Sequence, residues 1–391
     1  MLLQNKKVAI IGGGPVGLTT ALLLQRKGVN VKVYERDFNA ESRISGGTLD
    51  IHRGTGQIAL EKAGILEIFY KNARPTGERQ LDIHGNILQE IMPADEDKYA
   101  KPEIDRNDFR RILLENLETD TVIWNSQLTE INKLNEGYQL KFKNGTCDKV
   151  NLVIVANGGR SNTRNLVTDI EPKYTGTFII QGEVLNPSTA CPNFKKLVGN
   201  ENTGTGAEGK FFYTQIKSKG VLNYFISFHA EENWAEAAHV NFSQPQTVKN
   251  YLNSVTKNWH PVFHELFDAT DHFAGLPMRR MHLDKPWESQ HDIALVGDAA
   301  HVMPPFAGIG VNIGLLDALH LSGNLTEGEF PDILSAIKDY EQKMFVYAHE
   351  AQEQTAMAEE MVHSEDDSKE EERNKAKEEW DQKLIQSKEP K

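Results

Sequence analysis

Lys7-Val-Ala-Ile-Ile-Gly12-Gly13-Gly14-Pro15-Val16-Gly17 decides the fold of this chain. Five residues, four of them apolar, stop abruptly at glycine, as a buried parallel strand does when it runs into a turn. Leu18, Ala21, Leu22 and Gln25 then recur at helical spacing, Gly28 stands where a helix C-cap belongs, and Val31 to Glu35 reads as a second strand. The whole is one βαβ unit. In the pattern Gly12-x-Gly14-x-x-Gly17, the first glycine permits the tight turn and the second lets backbone N–H groups approach a pyrophosphate. The third lets the helix lie close on the strand. The helix N-terminus adds partial positive charge. Glu35, 18 residues beyond Gly17, ends the second strand, where a carboxylate can accept from a ribose. The pattern implies a bound dinucleotide without choosing which.

Outward from this unit, residues 56–64 and 106–118 are predicted helices, and Asn151 to Ala156 is a further buried strand ending at Asn157-Gly158-Gly159. The texture changes after residue 173. Segments 175–184, 209–216 and 221–229 are β-branched and aromatic, with Lys217 to Gly220 as a hairpin turn. Asp292 to Val296 returns to the buried-strand style, closing at Gly297-Asp298, and residues 310–324 and 332–360 read as helices. The expected fold is α/β, a Rossmann-like domain with an antiparallel sheet domain and a long C-terminal helix. The expected divisions are 1–173 and 285–330 for the nucleotide domain, 174–284 for the sheet domain and 331–363 for a bridging helix. The charge-dense segment 364–391 is expected to be a frayed helix or disordered.

With 391 residues, more than one core is expected. A net charge of -13 argues against nucleic acid and anionic membranes, both of which need a basic footprint. Cys147 and Cys191 form no metal-binding or disulfide pattern, so no metal is expected and a reducing compartment fits. The N-terminal apolar run is too short for a signal segment, and no stretch of 18 apolar residues occurs. A soluble, cytoplasmic, monomeric protein is the expectation.

Gly297-Asp298-Ala-Ala-His-Val-Met-Pro-Pro-Phe-Ala-Gly-Ile-Gly-Val-Asn312 narrows the ligand. A carboxylate at a strand end suits a ribityl or ribose hydroxyl. Gly308, Gly310, Val311 and Asn312 open the next helix, whose positive end suits a flavin carbonyl that gains charge on reduction. His301 invites comparison with a catalytic dyad, but a histidine in such a turn is expected to be a structural hydrogen-bonder.

The runs VAIIGGGPVGLT, GGTLDIH, PEIDRNDFR, ANGG followed by Arg160, Ser161 and Arg164, and GDAAHVMPPFAG resemble the class A flavoprotein monooxygenases, the aromatic hydroxylases of p-hydroxybenzoate hydroxylase type. Among them they are similar to the tetracycline-inactivating Tet(X)-type enzymes. The likeness runs from about residue 6 to residue 355. It implies FAD as cofactor, NADPH as a transient reductant, O2, and hydroxylation of a flat aromatic or polycyclic molecule through a flavin C4a-hydroperoxide. No catalytic side chain is then required, because the flavin carries the chemistry. The resemblance implies that Gly12, Gly14, Pro15, Val16 and Gly17 hold the pyrophosphate and that Glu35 and Arg36 hold the adenosine end. It assigns Asp50, Arg106, Asp298, Pro305, Gly308, Gly310, Val311 and Asn312 to the flavin and Arg43 to the nicotinamide cofactor. Arg106 and Arg43 by themselves also read as solvated charges.

Substrate is expected between the flavin and the antiparallel sheet, near Phe178, Gln181, Phe212, Tyr213 and Tyr224. The tetracycline-inactivating enzymes grip substrate with a Gln, an Arg and a His. Gln181 matches the first, whereas Asn202 and Asn223 align with the other two, and Ile309 replaces a Gln beside the flavin. Losing two charge-assisted hydrogen bonds removes roughly 1.5–3 kcal/mol each, so slow or absent tetracycline turnover is expected. A flavin reductase or dehydrogenase of the same fold, and a flavoprotein that sequesters a ligand, remain as alternatives.

Overall fold

The computed structural model describes residues 2–42 and 46–364. The Arg43 expectation and nearly all of the tail expectation lie outside the described residues. The chain begins β1 (Lys7–Ile11), α1 (Pro15–Gln25), β2 (Asn30–Tyr34) and β3 (Leu49–Asp50). It continues with α2 (Gly56–Lys62), α3 (Leu66–Asn72), the hairpin β4 (Glu78–Leu81) and β5 (Ile87–Ile91), β6 (Glu103–Ile104), α4 (Arg106–Glu115) and β7 (Val122–Ile123). Then follow β8 (Leu128–Lys133), β9 (Tyr138–Phe142), β10 (Cys147–Val150) and β11 (Leu152–Val155).

The second half holds β12 (Lys173–Val184), α5 (Pro187–Ala190), α6 (Pro192–Val198), β13 (Asn202–Ala207), β14 (Lys210–Ile216) and β15 (Leu222–His229). After these come α7 (Trp234–Ala237), α8 (Pro245–Val255), α9 (Pro261–Asp268), β16 (Phe273–Arg280), β17 (Ile293–Leu295), α10 (Asp298–His301), α11 (Gly310–Thr326) and α12 (Ile333–Val362).

Five strands form a parallel sheet in the order β17-β11-β1-β2-β7. Its central strands are buried on both faces, which explains their unbroken apolar runs. Leu18, Ala21, Leu22 and Leu24 of α1 join them in the first core, with Leu315, Ala318 and Leu321 of α11. In α12, Asp332 caps the N-terminus by accepting from Ser335 N at 2.8 Å, and Tyr340 donates to Leu295 O at 2.8 Å. At its far end His363 meets Ser227 Oγ of β15 at 2.8 Å, so one helix of about 45 Å is tied to both sheets.

The second core lies under a seven-stranded sheet, ordered β16-β12-β15-β14-β13-β4-β5. The sequence reading limited this sheet to residues 174–284, but β4 and β5 belong to it and β13 pairs with β4 in parallel. Their polar sequences, ERQL and ILQEI, carry no buried-strand signature because β5 is an edge with Ile87, Leu88 and Ile91 exposed. An Asx turn closes the hairpin, with Asp82 Oδ1 accepting from His84 N at 2.9 Å and Asn86 N at 2.8 Å.

The pleat gives the large sheet two chemically different faces. Phe178, Phe212 and Tyr224 were expected beside the substrate; they point the other way, into the second core, where Phe212 packs on Phe194, Phe263 and Phe267. A residue one step along each strand faces the parallel-sheet domain instead: Gln181, Tyr213, Gln215, Asn223 and Phe225. Phe212 is fully buried. Phe212→Ala is expected to cost about 3–5 kcal/mol in urea unfolding while leaving ligand binding at the opposite face in place.

Candidate functional site

The turn after β1 is compressed to the limit of backbone contact. Gly12 has φ +110°, and a Cβ on it would stand 2.5 Å from Ala156 O, at the end of β11. A Cβ on Gly17 would stand 2.1 Å from Gly12 O. Gly14 differs, because nothing lies within 4 Å of its Cβ position. It is the N-cap of α1, with Pro15 next, no side-chain cap and no acidic residue in the first turn. The helix thus presents free N–H groups and its positive end to open space, a ready anion site. Glu35 is buried, and its carboxylate accepts from Gly13 N at 2.5 Å and Asp37 N at 2.9 Å, so the acid at the end of β2 braces the glycine turn. Arg36 beside it is exposed.

The turn after β17 abuts the first. Val16 wedges between two glycines: a Cβ would lie 3.2 Å from it at Gly297 and 2.5 Å at Gly314 of α11. Gly297 has φ +60°, and its N–H donates to Asp317 Oδ2 at 2.6 Å. The same oxygen meets His301 Nε2 at 2.6 Å, and Tyr347 OH donates to Asp317 Oδ1 at 2.6 Å. Both members of the His301–Asp317 pair are fully buried. Burial alone would lower the His301 pKa, but the Asp317 carboxylate overrides it and the net shift is upward. His301 is a buttress behind the turn and does not line the cleft. Arg164 links this turn to the one after β11, donating to Ala299 O at 2.7 Å, Asp298 O at 3.1 Å and Gly159 O at 3.0 Å.

These braces leave the Asp298 carboxylate on the accessible side of its turn. Water reaches its side chain, yet protein is packed densely around it. That burial raises its pKa against the lowering influence of His301, Arg106 and Arg164.

Across the cleft, Pro305 opens a short 3-10 turn that ends at Gly308, φ +68°. Gly310 begins α11 with nothing within 4 Å of its Cβ position, no side-chain cap and no acid in the first turn. A second long helix therefore aims an uncapped N-terminus at open space. Val311 follows in the first turn. Asn312 is buried and clamps β3, accepting from His52 N at 2.8 Å and donating to Asp50 O at 2.9 Å. The Asp50 carboxylate lies 3.7–3.8 Å from the Gly308 Cβ position. Burial would raise it, but His52 Nε2 at 2.7 Å and Lys101 hold it below the usual range. Arg106, first residue of α4, donates through Nε to Gly47 O at 3.0 Å and feels the Asp298 charge.

The facing wall is the odd face of the large sheet. Gln181 Nε2 donates to Asn223 Oδ1 at 3.1 Å, and Asn202 Nδ2 donates to Glu103 Oε1. Tyr213 is hydrogen-bonded by the Asn202 side chain, and burial raises its phenol far above the ordinary value. The loop at Gly47 lies against this wall, since Gln215 Oε1 fills the space of its missing Cβ, 1.8 Å from that position, with Asn223 Oδ1 at 3.3 Å. The two uncapped helices, Asp50, Asp298 and the amide wall thus border one region. Sequence reading did not single out Glu103, Gln215 or Asp317, whose positions follow from pairing across the fold and not from any local spacing. Asp317→Ala would strand the His301 side chain, the Gly297 N–H and the Tyr347 hydroxyl; a loss of about 3–5 kcal/mol is expected in urea unfolding. A raised folded pKa means that the His301 contribution is complete below pH ~6.5 and fades as pH rises through the higher folded value, so the variant's deficit should shrink in alkali.

Comparison with known proteins agrees with this architecture. "Monooxygenase asqM" of Emericella nidulans is 27% identical over 380 residues, covering 83% of this chain and 85% of its own. "6-hydroxynicotinate 3-monooxygenase" of Bordetella bronchiseptica is 25% identical over 352 residues, covering 87% and 88%. The crystal structure of tetracycline destructase Tet(55) superposes with a TM-score of 0.78 at 21% identity, covering 100% of both chains, and at that identity it supports the fold alone. A family model described as "FAD binding domain" matches residues 5–329, so this chain belongs to that family, the class A flavoprotein monooxygenases, and its cofactor is FAD.

Proposed function

We propose that this protein is an NAD(P)H-consuming flavin monooxygenase that hydroxylates a flat aromatic or polycyclic small molecule held between the flavin and the amide-bearing face of the large sheet. The observation that carries the reading is the pair of uncapped helix N-termini, at Gly14 and Gly310, opening on one cleft beside the Asp298 and Asp50 carboxylates. The fit to FAD is specific. The pyrophosphate would take the free N–H groups at the start of α1, within the turn from Gly12 to Gly17, with the Glu35 and Arg36 end left for adenosine. Asp298 would accept from ribityl hydroxyls. Asp50, Arg106, Pro305, Gly308, Gly310, Val311 and Asn312 would hold the isoalloxazine, and Arg43 is assigned to the nicotinamide on the family pattern.

When bound, the flavin supplies the redox chemistry and the activation of O2. The chain's residues do the rest. The uncapped start of α11 would favour negative charge on the ring. Packing of Val16 against Gly297 and Gly314 keeps the two turns in register. Gln181, Tyr213, Asn223 and Asn202 orient the substrate, while Phe225 and Phe306, with ring centroids 6.5 Å apart, screen that end of the cleft from water.

Tetracyclines are a poor match. Asn202 and Asn223 stand where the tetracycline-inactivating enzymes carry a cation and an imidazole, and both amides are committed to neighbours, Glu103 and Gln181. The protein is expected to purify yellow with noncovalent FAD, and a chain that takes up no FAD would sink the reading. Asp298→Ala should lower flavin occupancy in the purified protein by at least about tenfold, read from the ratio of flavin to protein absorbance. Incubation with tetracycline, NADPH and air, followed by mass analysis for one added oxygen, should give little or no product. Rapid coupled hydroxylation would overturn the reading of Asn202 and Asn223, and NADPH oxidation yielding only peroxide with every compound tried would favour a reductase.

A further inference from the structure

β3 and β6 form a two-stranded ribbon that pairs Asp50 with Glu103. Asp50 turns to the Gly308 side of the cleft, whereas Glu103 turns to the sheet. Glu103 is buried, and the hydrogen bonds its carboxylate receives come from the sheet wall and the loop above it. Thr48 Oγ1 donates to one carboxylate oxygen. Asn202 Nδ2 and, at 3.5 Å, Gln215 Nε2 donate to the other. By taking the N–H ends of two amides, the carboxylate turns their oxygens away from itself. Asn202 Oδ1 is left buried without a partner, and Gln215 Oε1 lies on Gly47. An unpaired buried acceptor costs about 1–3 kcal/mol, and a ligand hydroxyl or N–H would relieve it.

The charges around the acid are accounted for. Asp50 on β3 opposes its ionisation and Arg74 favours it, although Arg74 is itself held by Asp105 Oδ1 at 2.9 Å and Ile216 O at 2.6 Å. Tyr213 of β14 and Glu78 of β4 face the same region, and Lys101 and His52 act on Asp50. Lys217, at the end of the wall, is paired with Glu183 at 2.7 Å. Burial dominates, and the Glu103 carboxyl is pushed up to about 7.

We propose that Glu103 is the specificity-determining residue of the substrate side: acting through Asn202 and Gln215, it makes the wall a set of acceptors that takes an uncharged flat ligand bearing hydroxyl or N–H donors and discriminates against aryl carboxylates. The inference rests on the monooxygenase reading above and deepens it by naming the substrate class.

The test uses the full chain loaded with FAD and two probes that differ in one group, 2,3-dihydroxynaphthalene and 3-hydroxy-2-naphthoate. Dissociation constants are read from perturbation of flavin absorbance and fluorescence between pH 6 and pH 8. At pH 8 the diol should bind at least about tenfold tighter, the order expected for excluding one like charge at partial burial. Naphthoate binding should strengthen as pH falls through about 7, where Glu103 takes up its proton. Glu103→Gln should keep its flavin, bind the naphthoate within a few-fold of the diol and lose the pH dependence. Equal or tighter naphthoate binding by the unmodified protein at pH 8, failure of both probes to bind, or an E103Q protein that keeps the pH profile overturns the inference. The pH series on the unmodified protein decides the matter even if the variant does not fold. A chain that takes up no FAD fails at the monooxygenase reading, whereas a flavin-loaded chain without discrimination fails here alone.

Discussion

Everything at the candidate site depends on how closely three turns approach one another at one rim of the parallel sheet. Parallel strands deliver their C-terminal ends to the same edge, and the backbone at Gly12, Asn157 and Gly297 converges there. The absence of a Cβ at Gly12 allows contact with Ala156, and its absence at Gly17 seats α1 against the turn. Were either position alanine, α1 would be displaced and its N-terminus would no longer face the space beside Gly14. The ligand-binding potential of the rim is therefore a property of backbone geometry first and of side chains second.

The second rim element is held from behind. Asp317 gathers the Gly297 N–H, a fully buried His301 and the half-buried Tyr347 in a cluster that joins the end of β17 to α10, α11 and α12. Such a cluster gives little net stability over an apolar equivalent, but it fixes one arrangement, because each partner is expensive to leave unpaired. The result is that Asp298 faces outward although its neighbour His301 faces inward. Two ionisable residues three positions apart thus have opposite surroundings, one reached by water and the other a sealed core.

The fold was legible in the sequence where local pattern and tertiary role coincide. The run Val8 to Ile11, the glycine spacing and the run Ile293 to Val296 each carry a buried-strand signature because those strands are covered on both faces. β4 and β5 were not legible, since a half-exposed edge hairpin looks polar. The sense of the pleat in β14 was not legible either: Phe212 and Tyr213 are adjacent aromatics, and only pairing with β15 decides which of them meets the core. Asp50 and Asn312 were found by family pattern, and the structure joins them through one direct hydrogen bond across 262 residues. Glu103 escaped notice because its importance arises from the cross-strand neighbours Asp50, Asn202 and Gln215, which no window of sequence brings together.

The order of the strands in space has a consequence for synthesis on the ribosome. β11 needs β17 as its neighbour, yet the whole large-sheet segment from β12 to β16 separates them along the chain. At ordinary elongation rates that leaves one edge of the parallel sheet open for roughly 10–30 s. α11, the second helix facing the cleft, emerges later still. The nascent chain can shape the first glycine turn and α1 early, but it brings the second uncapped helix beside them only after the large sheet has been made. On the proposed reading of the site, cofactor capture is coupled to completion of both sheets.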